Sequence, residues 1–213
     1  MPNRKLEKLE RDIRFFHKNP TIDNAINLFS CYIKPYQRQT IFEMLCNNNY
    51  LPIAKWYFEK YPNMYLDMVF NKSIYNNNFE LAKWLNELGG FIGTTTRFRD
   101  YYELSCNNKL FIIACSNRNL DMVKWMLKIE PSLYNNAMRI NFWYSVLELL
   151  ANNKDETNSD EFLQWLLQKF LNKKRSKFVD INNIANILFY KGFTEISKWF
   201  SLLYSIPMND EFI

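Results

Sequence analysis

A chain of 213 residues with 48% hydrophobic content is long enough to bury a sizeable core without help from disulfides or metals. Its four Gly exclude both a P-loop and a Gly-rich dinucleotide turn, and four Cys without a CxxC pair, beside a single His, exclude a cluster with zinc spacing. The net charge of +5, from 27 basic and 22 acidic residues, favours acidic surfaces without requiring nucleic acid, and no apolar run approaches the roughly 18 residues of a membrane span.

The first predicted elements are two helical segments, Lys5 to Lys18 and Ile22 to Ile33, parted by Asn19-Pro20. Charges interrupt every apolar step of the first, so it lacks the core of a signal peptide. With no framework of paired cysteines, the expectation is a cytoplasmic protein that is not secreted. Residues 1–37 are expected to form a helical cap, because the terminal unit of a stack must present one face to water.

From residue 38 to 206 the tryptophans set the organisation. Trp56, Trp84, Trp125, Trp165 and Trp199 share one local pattern, written NNYLPIAKWYF around the first and NRNLDMVKWML around the third. Three residues before each Trp stand Ile53, Leu81, Met122, Phe162 and Ile196; directly after stand Tyr57, Leu85, Met126, Leu166 and Phe200. Positions three and four apart share a helical face, so each Trp marks a helix with an apolar stripe. Upstream, Cys46, Ile74, Cys115 and Phe189, with Phe42, Phe70, Phe111 and Ala185 one turn earlier, supply a preceding helix with its own apolar face. About five helix hairpins are predicted, each too small to bury its apolar surface alone; stacking buries it continuously, which is the physical logic of a solenoid. Between the paired helices lie Asn48-Asn49, Asn76-Asn77, Asn117-Arg118 and Lys191-Gly192. A turn there needs a left-handed residue, a conformation open to Gly and tolerated by Asn.

Five segments interrupt or end this register. Gly89 to Lys109 is a long connection that mixes Phe91, Phe98, Tyr101 and Tyr102 with Arg97 and Arg99, the combination enriched at interface hot spots; the alternative is an extra helix packed on the stack. Tyr134 to Tyr144 carries Trp143, the Trp outside the register, either as a second contact surface or as the first helix of the fourth hairpin, whose two helices are separated by the polar insertion Asn152 to Asp160. Asn172 to Lys177, NKKRSK, is the densest basic cluster, a patch for phosphate or an acidic partner or else a solvated connection. Residues 207–213 form a tail.

The best-preserved unit, ACSNRNLDMVKWML from Ala114 to Leu127, resembles the divergent ankyrin repeats abundant in giant DNA viruses of the mimivirus type, and the likeness covers roughly residues 38 to 206. The resemblance implies an all-α solenoid of stacked, degenerate ankyrin-like helix hairpins. It also implies a viral protein that engages a host or viral protein, in the host cytoplasm. Two departures bear on this: nothing matches the T-P-L-H opening of the first helix, and the usual Gly-rich loops are missing, so β-hairpin fingers are not expected.

No residue set points to catalysis, and no cofactor or metal is expected. His17 sits at a helix end with no nucleophile signature beside it, where a partial positive charge is welcome. Cys46 and Cys115 occupy one repeat position and read as small core hydrophobes. Lys55, Lys83, Lys124 and Lys198 directly precede Trp and form a ridge expected to snorkel from the edge of the buried face. The expected function is a protein–protein interaction scaffold, with Arg97, Phe98, Arg99, Tyr101 and Tyr102 as candidate partner-binding residues. The alternative is a nucleic-acid-associated or virion structural component that uses Lys173, Lys174, Arg175 and Lys177 with the lysine ridge.

Overall fold

The computed structural model describes residues 12, 15–32, 37–92, 101–136, 140–152, 159–171 and 180–206; within these, the side chains of 30–32, 101–107, 136 and 159–160 fall outside the description. Every regular element among the described residues is helical, and no strand occurs there, in keeping with the absence of the ankyrin finger signals. The chain divides into two compact units, Met1–Phe91 and Ile92–Ile213.

The first unit contains α1 (Ile22–Tyr32), α2 (Arg38–Asn47), α3 (Leu51–Lys60), α4 (Asp67–Tyr75) and α5 (Phe79–Gly89). Helix α2 pairs with α3 and α4 with α5; α2 also packs on α4, and α1 on α3. The apolar positions read from the sequence lie inside: Phe42, Cys46, Ile53, Tyr57, Phe70, Ile74, Leu81 and Leu85 are all buried. Upstream of α2, Phe16 is buried edge-on against Phe29 and Tyr50, with ring centroids 5.5 Å apart in both pairs, and Phe29 meets Tyr57 at 5.7 Å. These rings cover the open side of the first hairpin with apolar surface, which is what a terminal repeat lacks from a neighbour.

At the end of this unit Phe91 stacks on Phe70, with centroids 4.8 Å apart and planes at 22°. One aromatic of the long connection is therefore a packing residue of the first unit and not a free contact group. The stacking also fixes Gly89, where an added Cβ would lie 2.3 Å from the Phe91 ring.

The second unit contains α6 (Tyr101–Ser116), α7 (Leu120–Ile129), the short α8 (Leu133–Asn136), α9 (Ile140–Asn152), α10 (Ser159–Phe170), α11 (Ile181–Tyr190) and α12 (Thr194–Tyr204). Helix α6 pairs with α7 and α11 with α12, while α6 packs on α9, α9 on α11, and α10 on α12. Its centre is aromatic. Phe111 stacks on Phe142 at 5.8 Å and 21°, and Phe170 lies edge-on to Phe111 at 6.1 Å and to Trp143 at 6.3 Å. Trp143 is fully buried on α9, so it is a core residue, while Tyr144 beside it is half-exposed; of the stretch from Tyr134, Tyr134 to Asn136 belong to α8 and residues 137–139 lie outside the described residues. Of the polar insertion, Asn152 ends α9 and Ser159 and Asp160 open α10, while residues 153–158 lie outside the described residues.

One detail of the stripe differs from the sequence reading. The residues three before and one after each register Trp are buried in all five units, but Trp56, Trp84, Trp125, Trp165 and Trp199 are themselves only half-buried. The deep position is two before Trp, held by Ala54, Ala82, Val123, Leu163 and Ser197. At about 100° per residue the Trp sits roughly a third of a turn from the centre of that stripe, so it borders the core instead of filling it.

Candidate binding surface

The turns joining paired helices are built alike at four places. Asn49, Asn77, Arg118 and Gly192 occupy one repeat position and adopt left-handed φ values of 58°, 56°, 54° and 85°. In each turn the left-handed residue donates its N–H three residues back: Asn49 to the Cys46 carbonyl (3.1 Å), Asn77 to Ile74 (3.0 Å), Arg118 to Cys115 (3.0 Å) and Gly192 to Phe189 (2.9 Å). The next N–H closes a wider ring, from Tyr50 to Leu45 (2.9 Å), Asn78 to Ser73 (2.7 Å) and Phe193 to Leu188 (2.9 Å). These bonds are those of a Schellman ending, which satisfies the carbonyls that a helix leaves open. The following helix starts at once. Asn78 Oδ1 accepts from the Leu81 N–H at 3.3 Å and Asn119 Oδ1 from the Met122 N–H at 2.9 Å, so Asn serves as helix stop and helix start within a few residues.

The left-handed residue also reaches the next hairpin. In the first unit Asn78 Nδ2 donates to Asn49 Oδ1 at 2.8 Å, and in the second Arg118 Nη2 donates to the Leu150 carbonyl at 3.4 Å. Between the first pair of turns lies an open cleft of about 340 Å³ whose lining includes Asn47, Asn49, Asn76, Asn78, Phe79 and Glu80. The final turn carries a further link, with Lys191 Nζ 3.5 Å from Glu148 and 5.1 Å from the Tyr144 ring centre.

The lysine ridge is engaged with its surroundings. Lys55 Nζ stands 5.8 Å from the Trp84 ring of the next hairpin, and Lys124 Nζ 5.7 Å from Trp165 of the next. A cation over an indole at an exposed site contributes about 0.5–1 kcal/mol, so the Lys-Trp dipeptide ties neighbouring second helices together. Lys83 lies 5.2 Å from the Phe79 ring and 3.6 Å from Glu80, and Lys198 lies 3.4 Å from Glu195. Two of the four lysines, Lys55 and Lys124, thus meet the indole of the next hairpin, a partner that the Lys-Trp dipeptide alone does not announce, since Lys83 and Lys198 carry the same dipeptide and pair within their own helices.

Of the candidate contact residues, Arg97, Phe98 and Arg99 lie outside the described residues, as do Lys173, Lys174, Arg175 and Lys177. Tyr101 and Tyr102 open the first turn of α6, so the connection is helical from Tyr101 onward. His17 is exposed at the end of a helical turn, its Nδ1 3.1 Å from the Tyr50 hydroxyl. Cys46 and Cys115 are buried free thiols. Burial, reinforced by the Glu43 carboxylate, pushes the Cys46 thiol up to about 12, and burial raises that of Cys115 as well, so neither is a nucleophile at neutral pH. Among the described residues no group of three His, Cys, Asp or Glu is placed to hold a metal ion, and no helix there is long and apolar enough to cross a membrane. No protein-family model, no curated protein and no solved structure matches the chain.

Proposed function

We propose that the chain is a protein–protein interaction scaffold, a solenoid of degenerate ankyrin-like repeats that presents its turns and connections to a macromolecular partner. The observation that carries this reading is the recurrence of one hairpin, closed by the same left-handed turn at Asn49, Asn77, Arg118 and Gly192 and linked to the next hairpin at Asn49 and Arg118. A design in which each unit contacts its neighbours spreads surface along a chain of turns, and such surfaces serve binding. The likeness of residues 38–206 to ankyrin repeats of giant DNA viruses adds a viral protein engaging a host or viral protein. The run Arg97, Phe98, Arg99, Tyr101 and Tyr102 is the contact segment we assign first, on its Arg and aromatic content.

The test is affinity capture from infected or host-like lysate with the full chain as bait, performed with and without nuclease. Protein recovered equally in both arms is the expected result. Recovery that vanishes with nuclease would overturn the reading in favour of a nucleic-acid-associated role through Lys173, Lys174, Arg175 and Lys177.

A further inference from the structure

We propose that the cleft between the first two helix turns docks an extended, uncharged stretch of polypeptide main chain, held by the carboxamides of Asn47, Asn49 and Asn76. The proposal deepens the scaffold reading and rests on it. At about 340 Å³ the cleft falls within the size range of sites that take small ligands or short segments. A carboxamide presents a donor and an acceptor side by side, the same two groups a peptide unit carries. Asn47 and Asn76 are exposed, and their carboxamides bond to no described residue, while Asn49 uses its Oδ1 for Asn78 and keeps its amide donors.

The chain already shows this kind of pairing. Gln39 Nε2 donates to the Tyr65 carbonyl at 3.0 Å while its Oε1 accepts from the Tyr65 N–H at 2.9 Å, so one side-chain carboxamide holds both main-chain groups of a single residue. Asn48 and Asn24 likewise donate to the carbonyls of Met44 (2.8 Å) and Asn19 (2.9 Å). The cleft walls are fixed in advance by the Asn49–Asn78 bond and the two left-handed turns, which lowers the ordering cost of binding.

Other ligand classes fit less well. Glu80 is the one charged residue in the lining, so the cleft repels phosphate and has nothing to pair it. The Phe79 ring, on which a sugar would stack, has Lys83 Nζ 5.2 Å from its centre. An uncharged main chain needs neither a cation nor a bare ring.

The experiment pans the full chain against a phage library of random linear peptides and compares it with Asn47→Ala/Asn76→Ala. Both residues are exposed, so helical content should be retained, as circular dichroism will show. Peptides enriched on the unsubstituted chain should bind the double variant about tenfold or more weakly, tolerate alanine at most of their own side chains, and lose binding when their main-chain amides are N-methylated. Should the alanine variant fail to fold, Asn47→Ser/Asn76→Ser removes both carboxamides with an uncharged polar side chain and should show the same loss. Equal binding to a folded variant, indifference to N-methylation, or no enrichment at all overturns the docking proposal and leaves the lysate capture to decide the scaffold reading. Binding of a neutral oligosaccharide that the variant loses would also overturn it, by assigning the cleft to sugars.

Discussion

Trp143 and Trp125 carry the same side chain in different surroundings, and the contrast measures which positions hold the molecule together. Trp143 is fully buried among Phe142 and Phe170, whereas Trp125 borders the core half-exposed. Trp143→Ala should cost about 3–5 kcal/mol, the range for deleting a large buried aromatic, and Trp125→Ala roughly half of that. Urea denaturation of the two variants checks the order; a larger loss for Trp125→Ala would mean that the buried face is misplaced. Titration supplies a second test at this scale. The Cys46 thiol rises from 9.0 to about 12 on folding, and Cys115, Tyr57 and Tyr204 are all raised by burial. A group with a raised pKa keeps its proton in the folded state after the unfolded chain has lost it, so the folded state binds more protons above about pH 9 and stability falls as pH rises through that window. The urea midpoint should hold steady near pH 7 and drop above about pH 9; a midpoint that climbs there would contradict the burial of these groups.

The helix turn is the element on which the design depends, and its chemistry was legible because few residues accept a left-handed backbone. Asn49, Asn77 and Gly192 announce that requirement in the sequence, while Arg118 is visible only through its register with the others. Gly192, at φ 85°, should lose about 1–2 kcal/mol on substitution by Ala, since a Cβ is strained in that region. Asn77→Gly should stay within about 0.5 kcal/mol and Asn77→Val cost about 1–2 kcal/mol, because a β-branched residue resists a positive φ most strongly. Thermal melts of the three variants decide this; a Val variant as stable as the Gly one would place Asn77 outside the left-handed region. What the sequence did not show were the bonds between hairpins, from Asn78 to Asn49 and from Arg118 to Leu150 on α9, because partners a full hairpin apart leave no periodic trace. The candidate contact segment lies between these cases. Its composition left a long loop and an extra packed helix both open, because polar residues such as Glu103, Asn107 and Asn108 interrupt the apolar pattern; α6 begins at Tyr101, and Arg97, Phe98 and Arg99 lie outside the described residues. Replacing Arg97, Phe98 and Arg99 with Ser should abolish partner capture and leave the melting temperature nearly unchanged, whereas adding Gly at Tyr101 and Tyr102, in the first turn of α6, should also lower it; a stable variant that still captures its partner would remove this segment from the binding surface.

Across the whole molecule, the order of helices followed from the tryptophan register, since an apolar stripe at helical spacing has one economical use. The place where the first unit ends did not follow: Phe91 stacks on Phe70, yet a single aromatic after a Gly-Gly pair reads equally well as a loop residue. Backbone NMR of the intact chain tests the repeated hairpin most directly, through secondary shifts and the N–H to Hα couplings that report φ. A hairpin repeated on one plan predicts helical shifts over Arg38–Asn47, Leu51–Lys60, Asp67–Tyr75, Phe79–Gly89, Leu120–Ile129, Ile181–Tyr190 and Thr194–Tyr204, broken by positive φ at Asn49, Asn77, Arg118 and Gly192. Continuous helix through any of those four positions, or extended strand shifts in place of the paired helices, would contradict it.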